Sequence, residues 1–219
     1  MPDGSVFVIS DFSDLADQKT VSKTLTRLCK SGLAGKVMRG VFWKAGKITE
    51  DDIKLDFDEE DENIEVDVID EPAEFIEGEG PDPDKVARAL ARSYLWKLVP
   101  SGDTAKHLIG IDSNAPAIWT YITDGAYRVY KYGNTIISFQ HASSKFISSM
   151  SEKTALLVQV MKCYGKDAMP AGVLEKIKSF YKNSDKAAII SESKNTTSWI
   201  ASSIRRLFRA DLKQKSVAQ

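Results

Sequence analysis

Histidine and cysteine are nearly absent from this 219-residue chain: His107, His141, Cys29 and Cys163 are all it has. Four such residues so scattered offer no metal-type Cys/His spacing, so no metal is expected. A chain this poor in cysteine is not a disulfide scaffold, and two thiols so far apart in sequence read as free in a reducing compartment. No stretch approaches the roughly 20 continuous apolar residues of a membrane span. The opening Met1-Pro2-Asp3-Gly4 carries neither a basic nor an apolar leader, so the chain reads as cytoplasmic, with no membrane partner. Catalytic signatures are missing too. No G-x-S-x-G elbow occurs, and Gly35-Lys36 and Gly165-Lys166 lack the rest of a phosphate loop. His107 and His141 read as structural, and Ser101-Gly102-Asp103 as a turn and helix cap. Carboxylates cluster only in one acidic stretch, where no apolar pocket would tune them. No catalytic residue, cofactor or small-molecule substrate is expected.

What the chain has is charge, unevenly spread. The total is −1. Residues 1–46 carry net +3, residues 47–84 net −16, residues 85–150 net +5 and residues 151–219 net +7. The acidic block divides the chain and bears on its partners in a way the total does not. With 42% hydrophobic and 28% charged residues, the remainder has the composition of a folded protein.

Periodicity supplies the elements. Residues 5–9 read as extended. Ser10-Asp11 is placed to cap a short helix through Leu15, and Asp17 a longer one to Lys30, stopped by Ser31-Gly32 with Gly32 at C′. Residues 33–44 read as two short strands turning at Arg39-Gly40. Ile64, Val66 and Val68 alternate with acidic residues as an exposed strand would, and residues 78–83 read as a linker. Asp84 then caps a helix through about Leu98. A short helix over 103–109, a strand over 117–122 and a hairpin around Gly133-Asn134 follow. Helices are expected over about 152–164, 170–182 and 196–209.

The helix from Gln18 carries the functional argument. At about 100° per residue, Val21, Leu25 and Leu28 form one narrow stripe. Lys19, Lys23, Arg27 and Lys30 form a second, almost opposite, with Thr20 and Thr26 nearby. An apolar face held by the domain and a polar face free for the major groove is what a recognition helix needs. The preceding short helix would pack through Phe12 and Leu15. The hairpin adds Lys36, Arg39 and Lys44, the residues a wing lays on phosphates or in the minor groove. Gln18, Lys19, Thr20, Lys23, Arg27, Lys30, Lys36, Arg39 and Lys44 are therefore the candidate DNA contacts. A solvated amphipathic helix would share part of this pattern. The order helix, helix, glycine stop, basic hairpin favours duplex DNA.

These residues also resemble a family. Phe7, Asp11-Phe12, Val21, Leu25-Thr26-Arg27-Leu28, Gly32 and Arg39-Gly40-Val41-Phe42 look like the winged-helix N-terminus of AbiEi-type antitoxins. Pro100-Ser101-Gly102-Asp103-Thr104-Ala105, Leu108-Ile109-Gly110-Ile111, Pro116 and Tyr121-Ile122-Thr123-Asp124-Gly125 are similar to the middle domain of the same group. The resemblance covers residues 5–46 and 84–210. It implies the antitoxin of an abortive-infection toxin–antitoxin pair, which binds its own promoter as a repressor. It also implies a cognate nucleotidyltransferase-like toxin as partner. Two features depart from the pattern: family members carry another helix before the point where this chain begins, and the acidic block is longer than their linker.

The expected architecture is α+β: a winged helix-turn-helix over 1–46, an acidic linker or insertion over 47–83, and a mixed α+β domain with C-terminal helices over 84–219. For the acidic block three readings stay open: a solvated linker, a competitor of DNA for the adjacent cations, or a binder of a basic protein. On the last helix, Trp199, Ile200, Ile204, Leu207 and Phe208 share one side, and Arg205, Arg206 and Arg209 gather on the other. That basic side is either a solvated surface, a second DNA contact or a surface for the toxin. The alternative function is an interaction protein that does not bind DNA and neutralises a toxin through its C-terminal domain.

Overall fold

The computed structural model describes residues 1–44, 80–166 and 169–217, with side chains apart from those of 144–145 and 210–217. The possible strand at 64–68 and nearly all of the acidic segment lie outside the described residues. The architecture is α+β, with helices and two sheets forming two compact units. The first comprises residues 1–95 with the turn 131–135, and the second the rest from Trp96 onward.

In the first unit, β1 (Val6–Val8) leads into a 3-10 turn at Ile9–Phe12, and α1 spans Gln18–Lys30. Strands β2 (Ala34–Met38) and β3 (Val41–Lys44) form a hairpin through Arg39-Gly40, with Gly40 at φ 77°. Both β1 and β2 pair antiparallel with β3, giving the order β1-β3-β2. Phe7, Val21, Leu25, Ala34 and Phe42 form the core beneath α1. Phe7 stacks on Phe42 at 6.2 Å and meets the edge of Phe12 at 5.6 Å.

Three expectations are corrected here. The short helix expected from a Ser10-Asp11 cap through Leu15 is only the 3-10 turn, whose N-cap is Val8, with Asp11 inside it accepting from Val8 N at 3.0 Å. Leu15 does not pack: it is 75% exposed, and Phe12 alone anchors the turn. The helix expected from an Asp84 cap to near Leu98 spans Pro83–Ser93, capped by Asp82, whose carboxylate accepts from Asp84 N at 3.0 Å, and it falls in the first unit rather than with the C-terminal domain. This helix, α2 (Pro83–Ser93), buries Val86, Ala87 and Leu90 and packs on β1, β3 and the 3-10 turn. Arg92 donates to Val6 O at 3.2 Å and to Asp11 Oδ2 at 3.0 Å, and Lys85 Nζ donates to Gly4 O at 3.2 Å. Chain order does not reveal this allegiance. Two basic side chains reaching the backbone of β1 and its approach do.

Gly35 is required by sterics. It faces Trp43 across the β2–β3 ladder, and a Cβ there would fall 1.9 Å from the indole Nε1. Gly35→Ala is expected to destabilise the first unit by about 1–3 kcal/mol, the usual range for overpacking. Chemical denaturation measures it, and a wild-type midpoint would show that the indole moves aside freely.

A second sheet holds β4 (Leu98–Pro100), β5 (Ile118–Thr123), β6 (Arg128–Tyr132) and β7 (Thr135–His141) in the order β4-β5-β7-β6, with β5 and β7 parallel, and all of it but residues 131, 132 and 135 falls in the second unit. The short helix α3 (Gly102–Leu108) is tied to β5 by Thr120 N donating to Thr104 Oγ1 at 2.7 Å. After α4 (Ser144–Ser148) come α5 (Glu152–Tyr164), α6 (Ala171–Phe180), α7 (Lys186–Ser193) and α8 (Ser198–Val217). Leu157, Met161, Ile177, Tyr181, Ile200, Ile204 and Phe208 are buried where these helices meet. The Tyr181 hydroxyl donates to Lys153 O at 2.9 Å, and burial pushes its phenol well up from the ordinary range. Among the described residues no helix is long and apolar enough to cross a membrane.

Candidate nucleic-acid interface

The geometry of α1 starts at its cap. The Asp17 carboxylate accepts from the N–H groups of Lys19 at 3.1 Å and Thr20 at 3.2 Å, two donors the first turn would leave without partners. The Thr20 hydroxyl donates to the same carboxylate, so this candidate DNA contact also serves the cap. That bond, with the backbone donors, holds the Asp17 carboxyl below its ordinary pKa. A depressed carboxyl adds stability above its unfolded pKa and loses it as pH falls through the folded value. Asp17→Asn, which keeps an accepting oxygen, should therefore flatten the pH dependence of unfolding below about pH 4 and change little at neutral pH. Helicity followed by circular dichroism across that window checks it, and identical acid limbs in the two proteins would contradict it.

At the other end, Ser31 N donates to Arg27 O at 3.0 Å and Gly32 N to Cys29 O at 3.1 Å. Gly32 has φ 73°, the left-handed C′ geometry that favours glycine. Between the caps the stripes separate as the angles require. Val21 and Leu25 are buried and Leu28 partly so, while Lys19, Arg27 and Lys30 are exposed and Lys23 half-buried. Thr26 is exposed, but its hydroxyl donates to Ser22 O at 2.9 Å. Gln18 is exposed at the first helical position.

On the hairpin, Lys36 and Arg39 are exposed. Lys36 comes near α1: burial pushes the Cys29 thiol up, and the Lys36 ammonium pulls against that shift. Among the described residues, none of Lys19, Lys23, Arg27, Lys30, Lys36 and Arg39 forms an ion pair or donates a side-chain hydrogen bond. Lys44 differs. It pairs with Asp3 at 2.9 Å and donates to Met1 O at 3.0 Å, so its ammonium is held by the N-terminal residues. The structure thus brings Lys36 toward the helix, keeps Arg39 at the hairpin turn and occupies Lys44.

The second basic group lies in the other unit. Arg205, Arg206 and Arg209 are exposed on α8, opposite buried Ile204, Leu207 and Phe208. Lys166, which the sequence offered only within an incomplete phosphate loop, joins Arg206 at a cavity there. His107 stands edge-on to Trp119 at 5.4 Å, and His141 Nδ1 lies 2.8 Å from Gly125 O. Cys29 and Cys163 are free thiols. Among the described residues no group of histidine, cysteine and carboxylate side chains is arranged to hold a metal.

The molecule is thus a two-unit α+β protein whose first unit presents a cationic helix face and a basic hairpin. Residues 73–189 match the model of a family of unknown function, DUF6088. That match covers more than half of the chain, and the chain belongs to this family. No curated protein matches it.

Proposed function

We propose that the first unit is a winged helix-turn-helix that binds duplex DNA. In this reading α1 is the recognition helix and the β2–β3 hairpin the wing. The observation that carries it is the face of α1: three exposed cations and half-buried Lys23, none spent on an ion pair among the described residues, opposite the stripe that fixes the helix to its core. The sheet order β1-β3-β2 supports the assignment, because pairing with β1 fixes the hairpin to the core that also holds α1. Helix α2 supports it as well. It covers β1 and the 3-10 turn, where the first helix of such a domain would pack.

The resemblance to AbiEi-type antitoxins supplies the biological half of the proposal: a cytoplasmic autorepressor that is also the antitoxin to a nucleotidyltransferase-like toxin. A gel shift of the full chain on the DNA upstream of its own gene, over a salt series, tests the first half. Phosphate contacts by the six cations Lys19, Lys23, Arg27, Lys30, Lys36 and Arg39 would make affinity fall with salt at a log–log slope of up to about −5. Absence of binding at low salt would overturn the DNA reading. Co-purification with the product of a neighbouring gene, and rescue of cells from it, tests the second half.

A further inference from the structure

On the second unit, a cavity of about 410 Å³ is lined by Lys166, Ser198, Trp199, Ser202, Ser203 and Arg206. Trp199, Ser202, Ser203 and Arg206 follow one another at i, i+3, i+4 and i+7, so Trp199 shares the face of Arg206 rather than the apolar side where the sequence pattern put it, and this single face of α8 builds most of the wall. The adjacent face, with Ile200, Ile204, Leu207 and Phe208, is buried and fixes that wall in place. Lys166 closes the cavity from the residues that follow α5. Among the described residues, neither cation forms an ion pair, and no serine hydroxyl of the three forms a hydrogen bond. Trp199 is half-buried, packed against the helical core along part of its surface.

The chemistry of this set is specific. The lining holds two cations and three hydroxyls, the kinds of donor a phosphate recruits, the arginine as a fork and the lysine as a point charge. An indole with an open face can stack a planar base. The volume lies within the roughly 300–1,000 Å³ of small-molecule sites. We propose that this cavity binds a nucleotide, the base on Trp199 and the phosphate on Lys166, Arg206 and the serines. The nucleotide is either free in solution or part of a single strand, since both present the same base and phosphate. The site uses no residue of the first unit and does not depend on the DNA reading.

Calorimetric titration of the full chain tests it, with adenosine monophosphate, adenosine, inorganic phosphate and a short single-stranded oligonucleotide as probes. Adenosine monophosphate should bind with a dissociation constant below about 1 mM, and adenosine and phosphate each at least about tenfold more weakly. Arg206→Glu and Lys166→Glu alter exposed positions, and each should weaken the nucleotide at least about tenfold with the melting curve unchanged. Trp199→Leu keeps an apolar contact with the core and should weaken the nucleotide more than phosphate. An oligonucleotide bound far more tightly than the mononucleotide assigns the site to strands, whereas equal affinity assigns it to free nucleotides. Absence of nucleotide binding at about 5 mM, or binding that Arg206→Glu leaves intact, overturns the proposal. Inorganic phosphate bound as tightly as the nucleotide also overturns it.

Discussion

Exchanging Lys19 and Arg27 for glutamate together is expected to lower the affinity for duplex DNA at least about a hundredfold near 0.1 M salt. Both side chains are exposed and lie two helical turns apart in the cationic stripe of α1. Each exchange removes one phosphate neutralisation and adds one repulsion, so the salt slope should also shrink by about two. The positions are chosen so that fold effects offset. A glutamate near the N-terminus of α1 is favoured by the helix dipole, and one near its C-terminus is disfavoured by a similar amount. Unfolding should therefore be nearly unchanged. The control is Lys178→Glu with Lys182→Glu, which makes the same change in net charge on exposed positions of the second unit. If the control weakens binding as much as the α1 pair, attraction is diffuse and α1 is not the reading element.

Leu90→Ala should destabilise the first unit by about 2–4 kcal/mol, because it empties a buried site. Leu90 is 3% exposed on α2 and lies beyond the acidic segment from β1, α1, β2 and β3. The informative readout is local. Amide hydrogen exchange should accelerate in Val6–Val8 and in α1, while α5 and α8 keep their protection. Loss of protection confined to the second unit would return α2 to the C-terminal domain, where chain order had placed it. DNA affinity should fall along with protection in the first unit, although Leu90 touches no candidate contact. That result would separate a positioning effect from loss of a contact.

What the sequence made legible was local. The bounds of α1 followed from Asp17, Ser31-Gly32 and the opposed stripes, and each has its hydrogen bond or φ value in the structure. The turns at Arg39-Gly40 and Gly133-Asn134 were marked by residues whose backbone freedom such turns need. What escaped was non-local or short. No pattern within Pro83–Ser93 states which unit covers its apolar face. The parallel pairing of β5 with β7 across the intervening β6 is likewise a matter of tertiary register. Strand β4 and helices α4 and α7 are too short for periodicity to rise above their surroundings. Of the candidate site, residue types and the helix face could be read in advance. The capture of Lys44 by Asp3 could not, since it depends on how the first residues cross β3. The cavity under Trp199 escaped for the same reason, because Lys166 meets α8 only in the folded unit.

The placement of α2 also has a consequence for synthesis. During translation, α1 and the β2–β3 hairpin are complete once Lys44 has been made, yet β1 and the 3-10 turn keep an uncovered apolar side until Ser93 follows. The first unit thus draws on chain from both sides of the acidic interval. The ribosome must traverse all of it before α2 can cover β1.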